Sequence, residues 1–152
     1  MPYYIKKKKS DKPKKRQPSQ SALVKKLDKV FSQYIRLRDA SPNGTFRCPT
    51  CGRILPFAKG DCSHLYSRRH MATRFDEDNC VMECAYDNRF NSEHLIKLNQ
   101  YVLSRIGETR YKMLSVKAHS AKKWSCFELE QLIKYYSILS KKTSNEKGIK
   151  LS

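Results

Sequence analysis

The chain has 152 residues, of which 39% are hydrophobic and 30% charged, so it fits one compact domain plus a segment with little to bury. Its formal net charge of +18 exceeds the ~2–8 that solubility asks of a small domain, and a field of that sign points to nucleic acid, held through counterion release from phosphates. A membrane is not expected as a partner, because no apolar run approaches the ~20 residues of a bilayer span, the start MPYYIKKKK lacks the apolar core of a secretory signal, and no basic amphipathic helix shows a broad greasy face. The expected compartment is a reducing cytoplasm, where six Cys suggest metal ligation before disulfides.

Residues 1–18 read as a disordered basic tail suited to phosphate contact. Residues 1–17 hold eight Lys/Arg and one Asp, so they carry +7 of the charge and leave +11 on the rest. From Ser19 onward, Leu23, Leu27, Val30, Phe31, Tyr34, Ile35 and Leu37 recur at helical spacing. Ser19 or Ser21 can cap this helix, and the Ser-Pro-Asn-Gly turn at 41–44 stops it after about five turns. Residues 45–90 are rich in Cys and have no long apolar period, as in a segment folded around metal. Helical spacing returns with Leu95, Leu98, Val102 and Ile106, ends at Gly107, and resumes over Tyr111–Val116. A last helix opens with the capping box Ser125-x-x-Glu128 and continues through Leu129, Leu132, Ile133, Tyr136 and Leu139 to Lys142. The organisation expected is a tail over 1–18, one domain over 19–142 and a frayed end over 143–152.

Cys48-Pro-Thr-Cys51-Gly is half of a zinc knuckle, since two thiolates two residues apart on a tight turn can reach one tetrahedral ion. The second half lies about thirty residues on, in Cys80-Val-Met-Glu-Cys84-Ala-Tyr-Asp87. The expected structural Zn²⁺ ligands are Cys48, Cys51, Cys84 and Asp87, because Cys84-x-x-Asp87 repeats the half-site spacing. Cys80 is the competing fourth ligand, and His64 a further alternative. Cys62 and Cys126 read as apolar packers. Trp124, Tyr135 and Tyr136 read as core or its rim, and His70, His94 and His119 as surface or hydrogen-bonded residues.

Polar residues between and beside the half-sites run Gly60-Asp61-Cys62-Ser63-His64-Leu65, then Asp76-Glu77-Asp78-Asn79, then Asp87-Asn88-Arg89-Phe90-Asn91. A His behind an acidic residue, an Asn fifteen positions later and an Asn adjoining the second half-site resemble the layout of ββα-metal finger (HNH) nucleases. The chain is more closely similar to the NinG (Rap) recombination proteins of lambdoid phages. YIRLRDA (34–40), CPTCGR (48–53), DCSHLYSRR (61–69), RFDEDN (74–79), LSRIG (103–107) and WSCFELEQL (124–132) carry that resemblance.

The resemblance implies an α+β fold, with a small zinc-stabilised ββα-metal core flanked by α-helices. It also implies a metal-dependent DNA endonuclease that hydrolyses phosphodiester bonds of branched DNA, a Holliday junction or a D-loop, in the bacterial host cytoplasm. A homodimer and a phage recombinase are the expected protein partners. In that layout His64 is the general base, and Asp61 and Asn88 hold a catalytic Mg²⁺, with Mn²⁺ as a substitute. Asn79 fixes the loop that aims His64, and Arg68, Arg69 and Arg89 meet flanking phosphates. Two positions depart from the pattern. Ser63 stands where many relatives carry the acidic ligand, and Asn88 where the motif ends in His, with Asn91 or His94 as a further ligand. The competing function is a non-catalytic zinc-ribbon module that binds DNA for recombination or replication.

Overall fold

A computed structural model describes residues 16–151. Positions 1–15 of the expected basic tail lie outside them, and residues 16–18 are exposed and belong to no helix or strand. The fold is α+β. Helix α1 (Gln20–Asp39) is followed by strands β1 (Thr45–Arg47), β2 (Ile54–Pro56), β3 (Gly60–His64) and β4 (Cys80–Cys84), and then by helices α2 (Ala85–Phe90), α3 (His94–Ala118) and α4 (Cys126–Lys147). Among the described residues no helix is long and apolar enough to cross a membrane.

The Ser19 hydroxyl accepts the Ala22 N–H at 3.3 Å and so satisfies one orphan donor of the α1 amino end. Leu23, Leu27, Phe31 and Ile35, spaced by four, are buried and face Leu129, Ile133 and Tyr136 of α4. This α1–α4 pair is the largest apolar layer, and the hairpin side chains Cys62, Cys80 and Phe75 join it. Phe31 lies edge-on to Phe75 and Tyr136, with centroids 5.8 and 4.9 Å away. Tyr34 and Tyr136 both donate to the Glu77 carboxylate, at 3.3 and 3.2 Å, which ties both helices to the turn before β4.

The strands form two separate antiparallel pairs. Strands β1 and β2 pair across the Cys48–Cys51 turn, where Gly52 at φ 72° takes a left-handed conformation that costs glycine least. In the second pair Gly60 faces Cys84 and His64 faces Cys80. A Cβ on Gly60 would collide with Met82, so this close crossing requires glycine. Each strand of a two-stranded sheet has one unpaired edge, and side chains close that of β4. Asp39 accepts the Met82 N–H at 2.8 Å, while Arg38 and Arg105 donate to the Cys80 carbonyl at 2.7 and 3.2 Å.

Two sequence expectations change, while a third holds: the helical backbone breaks at Gly107 (φ 80°, ψ 164°) inside α3, where the spacing ends one helical stretch ahead of the next. Its two arms pack Leu98, Val102, Ile106 and Leu114 around Val81, and this shared core keeps the arms contiguous. The end is not frayed from 143 onward. Helix α4 continues to Lys147, which donates to the carbonyls of Leu37, Arg38 and Ala40 at 2.8, 2.8 and 2.6 Å. Gly148 then turns the chain so that Ile149 is buried against Leu37, Phe46 and Met82. Cys126, read as a packer, is exposed in the first turn of α4, beside the exposed Phe127; Cys62 is buried.

Candidate metal centre and the cleft beside it

Cys48 and Cys51 sit on the β1–β2 turn, Cys84 ends β4 and Asp87 lies in the first turn of α2. One ligand atom from each of the four lies within 4.8 Å of the others. Cys48 and Cys84 Sγ stand 3.3 and 3.0 Å from one Asp87 oxygen, and Cys51 Sγ is 4.0 Å from Cys84 Sγ. Three of the four are buried; Cys51 is exposed. Burial, together with the hydrogen bond it donates to Asp87, pushes the Cys84 thiol up to about 12. Burial also opposes the Asp87 charge, yet hydrogen bonds from the thiols hold that carboxyl well below the usual range. Such a group cannot ionise fully without a cation, and a bound divalent ion reverses the balance by deprotonating the thiols. The donor set therefore fits a metal such as zinc. Neither Cys80 nor His64, the alternative ligands, belongs to this group. Cys80 starts β4 while Cys84 ends it, and Cys80 and His64 instead cluster with Cys62.

The second pair of strands leads straight into α2, giving a β–β–α order. Beside it lies an open cleft of about 570 Å³ lined by Cys62, His64, Arg68, Arg69, Asn88 and His94 among others. His64, Asn88, Arg68 and Arg69 are thus brought together from β3, the following loop and α2. Arg68 and Arg69 are exposed and add positive charge at the cleft wall. Position His64 is set by its loop: Nε2 lies 3.0 Å from the Arg74 carbonyl. A carbonyl can only accept, so Nε2 carries the hydrogen and Nδ1 keeps its lone pair. The Arg74 guanidinium is itself anchored to α1 through Asp28, 2.9 Å from Nε. Burial pushes the imidazole below its ordinary range, against the opposing bond to Arg74. The ring is therefore held neutral at neutral pH.

Asn79 is fully buried. Its side chain accepts the Tyr66 N–H at 2.8 Å and donates to the Tyr66 and Thr73 carbonyls at 2.9 and 3.0 Å. It closes the loop that follows His64. The acidic run ahead of it forms a short turn in which Asp76 accepts the Asp78 N–H at 2.9 Å.

Asp61 and Asn88 meet, but not as two ligands open to the cleft. Asn88 donates to the Asp61 carboxylate at 3.2 Å, and Arg89 grips it bidentately at 2.7 and 2.8 Å. Burial opposes the charge, yet these bonds outweigh it and lower the Asp61 pKa. Asp61 is also three residues from His64 on one strand, so the two side chains start from opposite faces. Asn91 is turned away, donating to Asp87 at 3.1 Å.

Glu83 was missed from sequence. It is fully buried, accepts the Thr50 hydroxyl and lies 3.0 Å from His94 Nδ1. It thereby joins the Cys48–Cys51 turn to the cleft. A carboxylate inside the otherwise apolar run Cys80–Cys84 was the available signal, since such a group is buried only with partners.

The arrangement is that of a Cys-rich α+β protein with a candidate metal centre beside a basic, histidine-bearing cleft. The family model described as Bacteriophage Lambda NinG protein matches residues 4–146, and the chain belongs to that family. Comparison with curated proteins and with solved structures gave no match.

Proposed function

We propose that the chain is a zinc-pinned, metal-dependent DNA endonuclease of the HNH kind, acting on branched DNA in phage recombination. One observation carries the reading: His64, with Nδ1 unprotonated and Nε2 tied to a backbone carbonyl, shares one cleft with Asn88, Arg68 and Arg69. Zn²⁺ is the ion assigned to Cys48, Cys51, Cys84 and Asp87, where it holds the β1–β2 turn against α2. His64 Nδ1 takes a proton from the water that attacks phosphorus, and the 3′ oxygen leaves. Asn88 presents its side-chain carbonyl to a divalent cation, while Asp61, itself held by Arg89, positions the Asn88 amide. A bound Mg²⁺, or Mn²⁺ in its place, supplies charge stabilisation for the departing oxygen. Arg68 and Arg69 bind phosphates on either side, and the +18 net charge supplies affinity that depends on salt but not on base sequence. Membership of a bacteriophage family supports work on phage DNA in the host cytoplasm. Cutting a symmetric junction calls for two such sites, hence a homodimer, and a phage recombinase is the fitting partner.

The test is cleavage of a Holliday junction, a D-loop and a linear duplex by the wild type and His64→Ala, with Mg²⁺, Mn²⁺ or EDTA. Metal-dependent cutting by the wild type, and a loss of about 10²–10⁴-fold in the variant with unchanged DNA binding, is the expected result. A wild type that binds but never cuts any of the three with either ion would establish the non-catalytic DNA-binding module instead.

A further inference from the structure

We propose that Cys62, His64 and Cys80 form a second site for a thiophilic divalent cation, Zn²⁺ above all, separate from the Cys48–Cys51–Cys84–Asp87 group, and that filling it silences the cleft by occupying His64. The second half of this proposal rests on the nuclease reading; the binding site does not.

Strand register builds the site. Cys62 and His64 are two apart on β3 and share a face, and Cys80 is the cross-strand partner of His64. One ligand atom from each lies within 4.8 Å of the other two. His64 meets a further requirement of a metal-binding imidazole, a hydrogen bond on the far nitrogen that fixes ring and tautomer. Nε2 makes it to the Arg74 carbonyl at 3.0 Å and leaves Nδ1 to bind. Two thiolates and an imidazole select a soft or borderline ion such as Zn²⁺ and are poor ligands for Mg²⁺. Three protein ligands leave a fourth position, and Cys62 and His64 both line the cleft, so water or an incoming phosphate can reach it.

Charge and proton balance are simple. Two S–H bonds release their protons to solvent, two S–Zn bonds and one N–Zn bond form, and nothing is oxidised or reduced. The resulting complex is neutral, since two thiolates cancel the ion, and this suits a place where Cys62 and Cys80 pack against Phe75 and the α1–α4 layer. The same nitrogen cannot both bind zinc and accept a proton from water, so occupancy removes the base.

The experiment saturates the full chain with Zn²⁺, removes excess by gel filtration and counts metal by elemental analysis. It is repeated with Co²⁺, whose thiolate charge-transfer absorption reports each site. Two equivalents are expected in the wild type. One is expected in Cys62→Ala and in Cys80→Ala, the remaining Co²⁺ keeping the tetrahedral spectrum of the first site, which also shows that the variant is folded. Zinc sufficient to fill the second site should lower Mg²⁺-dependent cleavage at least tenfold in the wild type and have far less effect on Cys80→Ala, which lacks that site. A single equivalent in the wild type, or two retained in both variants, overturns the site. Two equivalents bound with undiminished cleavage overturn the silencing. A wild type that cuts no DNA defeats the nuclease reading and the silencing with it, while the zinc count still decides the site.

Discussion

Asn79 shows what one buried amide can do. It makes three hydrogen bonds to the loop backbone, and Asn79→Ala would strip the partners from the Tyr66 N–H and carbonyl. Each unsatisfied buried group costs ~1–3 kcal/mol, so a loss of roughly 2–4 kcal/mol is expected by urea denaturation. A drop under ~0.5 kcal/mol, within what ordinary surface changes produce, would mean that the loop is held elsewhere. This residue was legible in the sequence because an Asn beside a turn has few better uses than its neighbours' backbone. Glu83 was not, because its partners Thr50 and His94 come from segments that meet only in the folded chain. Asp61 was half legible: its meeting with Asn88 followed from the motif, but its capture by Arg89 did not.

At the scale of elements, helices are fastened at their ends. The capping box of α4 is complete, with Ser125 and Glu128 bonding reciprocally. The hydrogen bond from Lys122, then those from Ser125, lower the Glu128 pKa to about 2. A depressed carboxyl contributes stability that is present above its unfolded pKa, ~4.3, and lost as pH falls through the folded value. The difference in melting temperature between wild type and Glu128→Gln should therefore be largest above pH ~4.3 and shrink toward pH ~2; a difference independent of pH would remove the charge from the explanation. At its other end α4 fastens α1 through Lys147, whose ammonium meets three carbonyls. Lys147→Met should cost roughly 1.5–3 kcal/mol in denaturant titrations, the range for hydrogen bonds to a charged group. The capping box was readable as a local pattern four residues long. Extension of the helix past Lys142 was not, because Lys147 finds its carbonyls more than a hundred residues earlier in the chain and Ile149 packs on residues as distant as Leu37.

Across the whole molecule, two apolar layers lie at different distances from the candidate metal centre. The α1–α4 layer is built from Leu23, Leu27, Phe31, Leu129 and their neighbours, whereas Leu37, Phe46, Met82 and Ile149 surround Cys48 and Cys84. Chelation, or Cys48→Ser, should release metal and speed amide exchange at Phe46, Cys48 and Gly52 while the α1 and α4 amides stay protected. Uniform loss of protection would show one cooperative unit, and unchanged metal content in the variant would refute the ligand set. Helical spacing, caps and the Cys-x-x-Cys and Cys-x-x-Asp half-sites were determined by the sequence alone, because each is a relation between residues a turn or less apart. Strand register was not. A shift of one residue turns every side chain to the opposite face, and nothing local to β3 or β4 chooses. Arg38, Asp39 and Arg105, reaching in from α1 and α3, cover the edge of β4. Only that packing decided that β3 lines the cleft, that His64 opposes Cys80, and that Asp61 turns to Arg89.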